Sequence, residues 1–128
     1  MLSKKKRADR KDIEQIFKDT RFISSQHLTL KFVLAKKKDL PRISFVVPKT
    51  VVKRATGRNL LRRRGYAVLE KYLNKFPPGF KGIFVFGKKS IEIFGQRKNK
   101  GKNKTQDLAI ELKHEIEIIL NKLWNIYL

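Results

Sequence analysis

The sequence has 128 residues, 41% of them hydrophobic, which suffices for one domain over residues 1–128 and argues against a disordered basic tail. Lys and Arg number 32 against 11 Asp and Glu, a formal net charge of +21 at pH 7. Self-repulsion destabilises a compact monomer with this charge, so we expect an anionic partner and favour nucleic acid over a membrane surface. The absence of cysteine excludes disulfides and thiolate metal sites and fits a reducing cytoplasm. No apolar run reaches the length of a membrane-spanning helix.

The first element predicted along the chain is a short helix that begins after an N-cap, Asp9, and runs to about Lys18. Asp12 places a favourable negative charge in its first turn. A basic leader over residues 1–8 precedes the helix, and we expect this leader to be mobile. The apolar face of the helix is predicted to contain Ile13, Ile16 and Phe17.

Strands are predicted where apolar residues alternate with others. The first such run extends from His27 to Ala35, and the second, RISFVV, ends at Pro48 because proline cannot donate to a strand ladder. A third strand is predicted over Gly82 to Gly87, GIFVFG, after the Pro-Pro-Gly stop at 77–79. Residues Ile91 to Phe94 have two interpretations, an extension of this strand or a partner for it.

An arginine-rich helix is predicted between the second and third strands, beginning within KRATGRNLLRRR at residues Lys53 to Arg64. Arg54, Arg58 and Arg62 recur at i, i+4 and i+8, so they share one side of the helix. Because like charges at this spacing repel, we expect the row to face a polyanion whose phosphates it neutralises. The alternative is a solvated basic face. The second half of the helix is predicted to face the core through Leu61, Val68, Leu69, Tyr72 and Leu73.

The last predicted element is a helix from about Thr105, preceded by a basic loop over residues 95–104 that we expect to be mobile. The loop has two interpretations, an RNA contact or a solubilising surface segment. Trp124 and Tyr127 lie at the margin of the apolar stripe of the helix, and we expect them to pack rather than to stack on bases. The stripe itself is predicted to contain Leu108, Leu112, Ile116, Ile119, Leu123 and Ile126.

These elements predict an α+β sandwich in which helices cover one face of a small sheet, with parallel pairing allowed between the strands on either side of the basic helix. Nothing in the residue pattern predicts catalysis by the protein. His27 and His114 lack the spacing of metal ligands, and the acidic residues are scattered. On the last helix, Glu111, Glu115 and Glu117 flank lysines.

The segment VVPKTVVKRATGRNLLRRR resembles the signature of the bacterial ribonuclease P protein family, in which a strand leads through a basic, Arg-Asn-containing sequence into a basic helix. A looser similarity extends over nearly the whole chain. The matching positions are Val47, Pro48, Lys49, Lys53, Arg54, Ala55, Arg58, Asn59, Arg62 and Arg63.

The resemblance implies a two-layer α/β sandwich of order α-β-β-β-α-β-α, similar to domain 2 of ribosomal protein S5, with a left-handed β-α-β crossover. It also implies a function. Such a protein subunit binds the catalytic RNA of ribonuclease P and the 5′ leader of precursor tRNA, and assists endonucleolytic removal of the leader in the cytoplasm. Neither DNA nor a membrane is an implied partner. Mg²⁺ is expected with the RNA subunit, and no cofactor or catalytic residue is expected in the protein alone.

Two sets of RNA contacts follow from the implied function. Residues expected to bind the catalytic RNA are Lys49, Lys53, Arg54, Arg58, Asn59, Arg62 and Arg63. Residues expected to form a leader groove between the first helix and the sheet are Ile13, Phe17, Lys31 and Phe32. Because Ile13 and Lys31 stand where the family often has aromatic residues, Phe17 is the favoured stacking residue. Leu60 stands where many members carry an arginine, and the loop from Lys88 to Lys104 is longer than usual.

Two other classes of protein stay open at this point. One is a ribosomal or ribosome-assembly protein with an S5-like fold, and the other is an architectural DNA-binding protein. The Arg58-Asn59 pair at the head of a basic helix after Val-Pro-Lys favours the ribonuclease P protein over a general rRNA binder. A DNA recognition helix would be free of core contacts, whereas the second half of this helix is predicted to join the core.

Overall fold

The structure, a computed structural model, describes residues 6–18, 21–34, 40–88, 90–94 and 104–127. The helices in this part of the chain are α1 (Arg10–Lys18), α2 (Ala55–Leu69), α3 (Ser90–Phe94) and α4 (Lys104–Ile126), with a short 3₁₀ helix at Leu73–Lys75. The strands are β1 (Phe22–Ser24), β2 (Leu28–Leu34), β3 (Arg42–Val46) and β4 (Phe80–Phe86). The α+β class is confirmed, and the order of the main elements adds only α3 to the expected α-β-β-β-α-β-α.

The strands form one sheet in the order β1-β2-β4-β3. Strand β2 pairs antiparallel with β1 and with β4, whereas β3 pairs parallel with β4. A parallel pair needs a long crossover, and α2 lies within it, so the parallel pairing expected around the basic helix is confirmed. The hand of this crossover stays a prediction.

The two faces of the sheet pack against different helices. Phe80 and Phe84 of β4 belong to the main core, which α2 and α4 cover. Ile83, on the opposite face of β4, packs with Val33 of β2 and Ile16 of α1. The expectation that all helices lie on one face was therefore wrong. The physical reason is that β4 is apolar on both faces, so its second face also needs cover, and α1 supplies it.

Helix α1 begins with a reciprocal cap that confirms the predicted role of Asp9. The backbone N–H of Asp12 donates to Asp9 Oδ1 at 2.9 Å, and the N–H of Asp9 donates to Asp12 Oδ2 at 3.1 Å. Just before the cap, Ala8 is buried, and its carbonyl accepts a hydrogen bond of 3.0 Å from Ser44 Oγ. The end of the predicted mobile leader is therefore packed on the sheet, and residues 1–5 lie outside the described residues.

Helix α2 approaches the sheet closely at Gly65. A Cβ atom at this position would lie 2.7 Å from the nearest ring atom of Phe45, which is too close for a real contact. The ring of Phe45 is held by stacking on Phe84, with centroids 5.1 Å apart, and the Phe45 N–H donates to the Tyr66 hydroxyl at 3.2 Å. This contact fixes the position of the basic helix on the sheet.

Three local predictions differ from the structure. The family order implies three strands before α2, but the residue pattern did not locate β1, because an alternation of three residues is too short to stand out in the sequence. Residues 91–94 form α3 rather than a strand, since the chain turns after β4 and Ser90 Oγ donates to the carbonyl of Gly87 at 2.6 Å. On α4, Leu120 is buried while Ile126 is 66% exposed, so the predicted stripe was wrong at its end. The side chain of Leu108 and the basic loop at 95–103 lie outside the described residues.

Candidate nucleic-acid interface

The arginines of α2 do not all face solvent. Arg58 and Arg62 are half-buried, whereas Asn59 and Arg63 are exposed. The reason is helical spacing, because Arg58 and Arg62 lie two turns before residues 65 and 69, which face the core. The most exposed side of the first half of α2 is therefore the one with Asn59 and Arg63, beside the predicted arginine row rather than on it. No acidic residue lies in the first turn of the helix.

Arg58 has a structural contact that its sequence pattern did not predict. Its Nη1 donates to the carbonyl of Val52 at 2.9 Å and to the carbonyl of Lys53 at 2.7 Å. Both acceptors lie in the segment that enters α2. The guanidinium therefore holds this segment against the first turn of the helix, in addition to any contact with RNA.

Arg62 and Asn59 are joined to each other, since Arg62 Nη2 donates to the Asn59 side-chain carbonyl. The bond holds Asn59 one helical turn from Arg63, and it holds Arg62 one turn from Arg58. An asparagine beside arginines on an exposed helix adds hydrogen-bonding groups to a surface of cations. Such a combination suits phosphate and ribose oxygens.

The loop between β3 and α2 presents the remaining predicted cations. The carbonyl of Pro48 accepts hydrogen bonds from the N–H groups of Val51 at 3.0 Å and Val52 at 3.1 Å, which closes a turn. Lys49 lies in this turn and Lys53 follows it, and both side chains are exposed. Arg54, the exposed N-cap residue of α2, has extended backbone angles of φ −83° and ψ 133°. The structure thus brings all seven predicted cations and polar residues to one end of α2.

A second surface lies on the α1 side of the sheet. Phe17 of α1 is 52% exposed, and Lys31 Nζ of β2 lies 5.0 Å from the centre of its ring. Ile13 is half-buried against the small core under α1 and forms the base of this surface. Phe17 and Lys31 are therefore in contact between α1 and the sheet, and Ile13 lies one helical turn before Phe17, whereas their role in leader binding stays a prediction.

Phe32 is not part of this surface, so its placement in the groove needs correction. Its side chain is 0% exposed and stacks on Phe80, with ring centroids 5.4 Å apart. Successive residues of a strand point to opposite faces. Because Lys31 faces α1, its neighbour Phe32 must face the main core.

Phe22 is a second exposed aromatic residue on the α1 side of the sheet. It is 57% exposed and lies directly opposite Lys31 in the β1–β2 pair, so both side chains are on the α1 side of the sheet. We name the surface formed by Phe17, Phe22, Lys31 and Ile13 the aromatic groove. Sequence reasoning missed Phe22 because β1 was not located in the sequence, where the short alternation in Arg-Phe-Ile-Ser was its signal.

Asp12 anchors α1 beside this groove. Its carboxylate is buried and accepts hydrogen bonds from Lys81 Nζ at 2.9 Å and from Arg42 Nη1 at 3.4 Å. Burial by itself raises the pKa of Asp12, but the hydrogen bonds from Lys81, from the Asp9 N–H and from Arg42 outweigh it and lower the pKa below its ordinary value. The charged carboxylate therefore ties α1 to β3 and β4.

Glu115, one of the acidic residues that flank lysines on α4, has a role that the sequence did not predict. It is buried, and it accepts hydrogen bonds from Ser25 Oγ at 2.6 Å and from the His27 N–H at 2.7 Å, while its second oxygen lies 2.8 Å from His27 Nδ1. This network joins α4 to the turn between β1 and β2. His27 is thus a polar residue whose hydrogen bonds are satisfied within the fold.

Within the residues that the structure describes, no group of three or more His, Asp or Glu side chains is arranged to hold a metal ion. The same part of the chain includes no helix that is both long and apolar enough to cross a membrane.

Comparison with known proteins gives a consistent result. The family model for ribonuclease P matches residues 2–107. The fold is similar to that of the RNase P protein from Thermotoga maritima, with a TM-score of 0.70 and 21% identity over 91% of this chain and 96% of that one. It is also similar to the RNase P protein from Staphylococcus aureus, with a TM-score of 0.69 and 13% identity over 93% of this chain and 94% of that one. No curated protein sequence matches the chain.

An α+β fold with a basic helix on one face of its sheet and exposed aromatic rings on the other suits a protein that binds RNA. The chain belongs to the ribonuclease P protein family and functions as a protein subunit of ribonuclease P in tRNA processing. Membership implies an RNA partner within a ribonucleoprotein endonuclease.

Proposed function

We propose that the chain binds the catalytic RNA of ribonuclease P through the basic end of α2 and the 5′ leader of precursor tRNA through the aromatic groove. The observation that carries this proposal is the placement of the two surfaces. Helices α1 and α2 cover opposite faces of the sheet, so the two surfaces can contact two RNA segments at once.

The basic end of α2 suits the backbone of a folded RNA. Its residues are Lys49, Lys53, Arg54, Arg58, Asn59, Arg62 and Arg63. Arginine can hold phosphate with two parallel hydrogen bonds, and each neutralised phosphate releases counterions. Arg63 and the loop lysines have the best access to phosphates, because Arg58 also serves the protein backbone.

The aromatic groove suits a single strand. Unstacked bases stack on exposed aromatic rings without strong sequence preference, and a precursor leader varies in sequence. Phe17 and Phe22 provide two such rings, and Lys31 between them provides a cation for the backbone. Because both rings are about half exposed, they are accessible to the bases of a single strand.

In this proposal the RNA subunit and its Mg²⁺ carry the hydrolysis in the cytoplasm, and the protein contributes binding. The support is the composition of the two surfaces, which contain cations, amides and aromatic rings rather than acids and bases. No step of the reaction is assigned to a side chain of this protein.

Reconstitution tests the assignment of chemistry. The protein alone should leave precursor tRNA intact, and addition of the cognate catalytic RNA with Mg²⁺ should release the 5′ leader and give a mature tRNA end. Specific cleavage by protein that has been treated with ribonuclease to remove RNA would overturn the assignment.

Leader binding is tested with Phe17→Ala and Phe22→Ala in the assembled enzyme. Each variant should bind precursor tRNA about five- to hundredfold more weakly, because one stacking contact contributes about 1 to 3 kcal/mol. Affinity for mature tRNA should not change. The matched control is Ile126→Ala, which removes an apolar side chain that is also exposed but lies on α4, across the sheet.

The ratio of the affinities for precursor tRNA and mature tRNA tests whether the aromatic groove binds the leader. If folded Phe17→Ala and Phe22→Ala enzymes keep the wild-type ratio between leader-bearing and mature tRNA, the aromatic groove is not the leader site. A loss confined to one of the two variants would place the leader over that ring alone.

A further inference from the structure

A cleft of about 380 Å³ lies between the start of α2 and the short helix α3, beside the basic end of α2. Pockets that hold small ligands usually measure about 300 to 1,000 Å³, so this cleft has room for one planar base. We name it the α2–α3 cleft. The lining residues that matter for its chemistry are Val51, Lys53, Arg54, Thr56, Leu60 and Ile91.

The walls of the cleft are held in place by polar contacts outside it. The hydrogen bonds from Arg58 to the carbonyls of Val52 and Lys53 fix the entry segment, which forms one wall. On the other side, Ser90 Oγ donates to the Gly87 carbonyl at 2.6 Å and holds α3, whose next residue is Ile91. The cleft is therefore largely formed before any ligand enters.

Gly57 keeps the helix and the entry segment close together at the inner end of the cleft. A Cβ atom there would lie 2.8 Å from Val52 Cγ1 and 3.5 Å from Ile91 Cδ1. A larger residue would push these side chains apart or fill the space between them.

The chemistry of the cleft separates into an apolar interior and a cationic rim. Val51, Leu60 and Ile91 offer apolar surface, while Lys53 and Arg54 at the rim are exposed. An apolar interior does not suit a phosphate group, but it suits the flat face of an unstacked base. The rim suits the phosphates that flank such a base, because opposite charges attract there.

From this arrangement we propose that the α2–α3 cleft receives one unstacked nucleobase of the catalytic RNA, with its flanking phosphates on Lys53 and Arg54. The inference rests on the proposed function and extends it, because it adds a base contact to a surface otherwise composed of backbone contacts. Leu60 and Ile91 would hold the two faces of the base, and Thr56 places a hydroxyl group near its edge.

Salt dependence distinguishes a base contact from a phosphate contact. Leu60→Ala should lower affinity for the catalytic RNA about fivefold or more without changing the slope of log affinity against log salt, since no charge is lost. Lys53→Ala should make the same plot shallower by roughly 0.7 to 0.9 units, because one phosphate contact is lost. Leu60→Met, which keeps apolar volume at the same place, should restore most of the affinity.

A wild-type affinity for folded Leu60→Ala would overturn the inference, and so would a changed slope. This failure is distinguishable from failure of the proposed function. In the first case Lys53→Ala still changes the slope and the reconstituted enzyme still cleaves precursor tRNA, whereas in the second case neither result is obtained.

A crosslinking experiment locates the base directly. The chain contains no cysteine, so Thr56→Cys introduces a single thiol that can carry a photo-reactive group at the mouth of the cleft. Crosslinks to one unpaired nucleotide of the catalytic RNA are the expected result. Crosslinks confined to precursor tRNA, or spread over paired nucleotides of the catalytic RNA, would overturn the inference.

Discussion

Arg58 has two tasks in this structure, and Arg58→Ala is expected to affect both stability and RNA binding. Its Nη1 makes two hydrogen bonds to backbone carbonyls, at 2.9 Å to Val52 and at 2.7 Å to Lys53. A hydrogen bond that involves a charged group contributes about 1.5 to 3 kcal/mol. Because one nitrogen serves both acceptors and the side chain is half-buried, we expect Arg58→Ala to lower the free energy of unfolding by about 2 kcal/mol.

Arg63→Ala is the matched control, because Arg63 lies on the same helix and is exposed. Its removal should change the free energy of unfolding by less than about 0.5 kcal/mol. Affinity for the catalytic RNA falls as salt rises, and Arg63→Ala should make this plot of log affinity against log salt shallower by roughly 0.7 to 0.9 units. Urea unfolding measures the first quantity, and binding titrations at several salt concentrations measure the second.

Arg58→Ala is expected to be less stable than Arg63→Ala. Equal stability of Arg58→Ala and Arg63→Ala would refute the structural role of Arg58. Arg58→Lys provides a further check, since it keeps the charge but cannot reproduce the geometry of the guanidinium group. It should recover RNA binding better than it recovers stability.

Two further predictions concern the packing that positions the RNA surfaces. Gly65→Ala should destabilise the protein by about 1 to 3 kcal/mol in urea unfolding, because its new methyl group meets the held ring of Phe45, and a stabilised variant would contradict this close approach. Asp12→Asn should cost about 2 to 4 kcal/mol at neutral pH, since Lys81 and Arg42 lose their buried partner. Because folding lowers the pKa of Asp12, its contribution is present above the ordinary carboxyl pKa and is lost as pH falls through the lowered value. Unfolding curves of Asp12→Asn and wild type should converge in acid, and a difference that persists below the lowered pKa would refute the ionic role.

Several features of the fold follow from local sequence and were predicted from it. The Asp9 cap, the alternation in β2 and β3 and the arginine spacing in α2 depend on residues only a few positions apart. Patterns of this kind determine a helix or a strand without knowledge of its neighbours. The family resemblance is likewise strongest in one continuous segment, from Val46 to Arg64.

Local sequence patterns did not predict every residue of the aromatic groove. Phe17 and Lys31 lie in contact between α1 and the sheet, but Phe22 was missed and Phe32 was placed on the wrong face. Which face of a strand meets solvent depends on where helices pack, and β4 is apolar on both faces. Only the docking of α1 shows that Lys31 and Phe22 lie on the side that stays partly open.

The sequence by itself determined the charge of this protein, its α+β class and the position of its basic helix, because each depends on composition or on short periodic patterns. Tertiary structure decided the tasks of individual polar residues. Arg58 donates to the entry of its own helix, and Glu115 holds His27 from a position 88 residues away. The physical reason is that a charged side chain bonds to whichever partner the fold brings within hydrogen-bond distance. Local sequence does not determine which distant residues come that close.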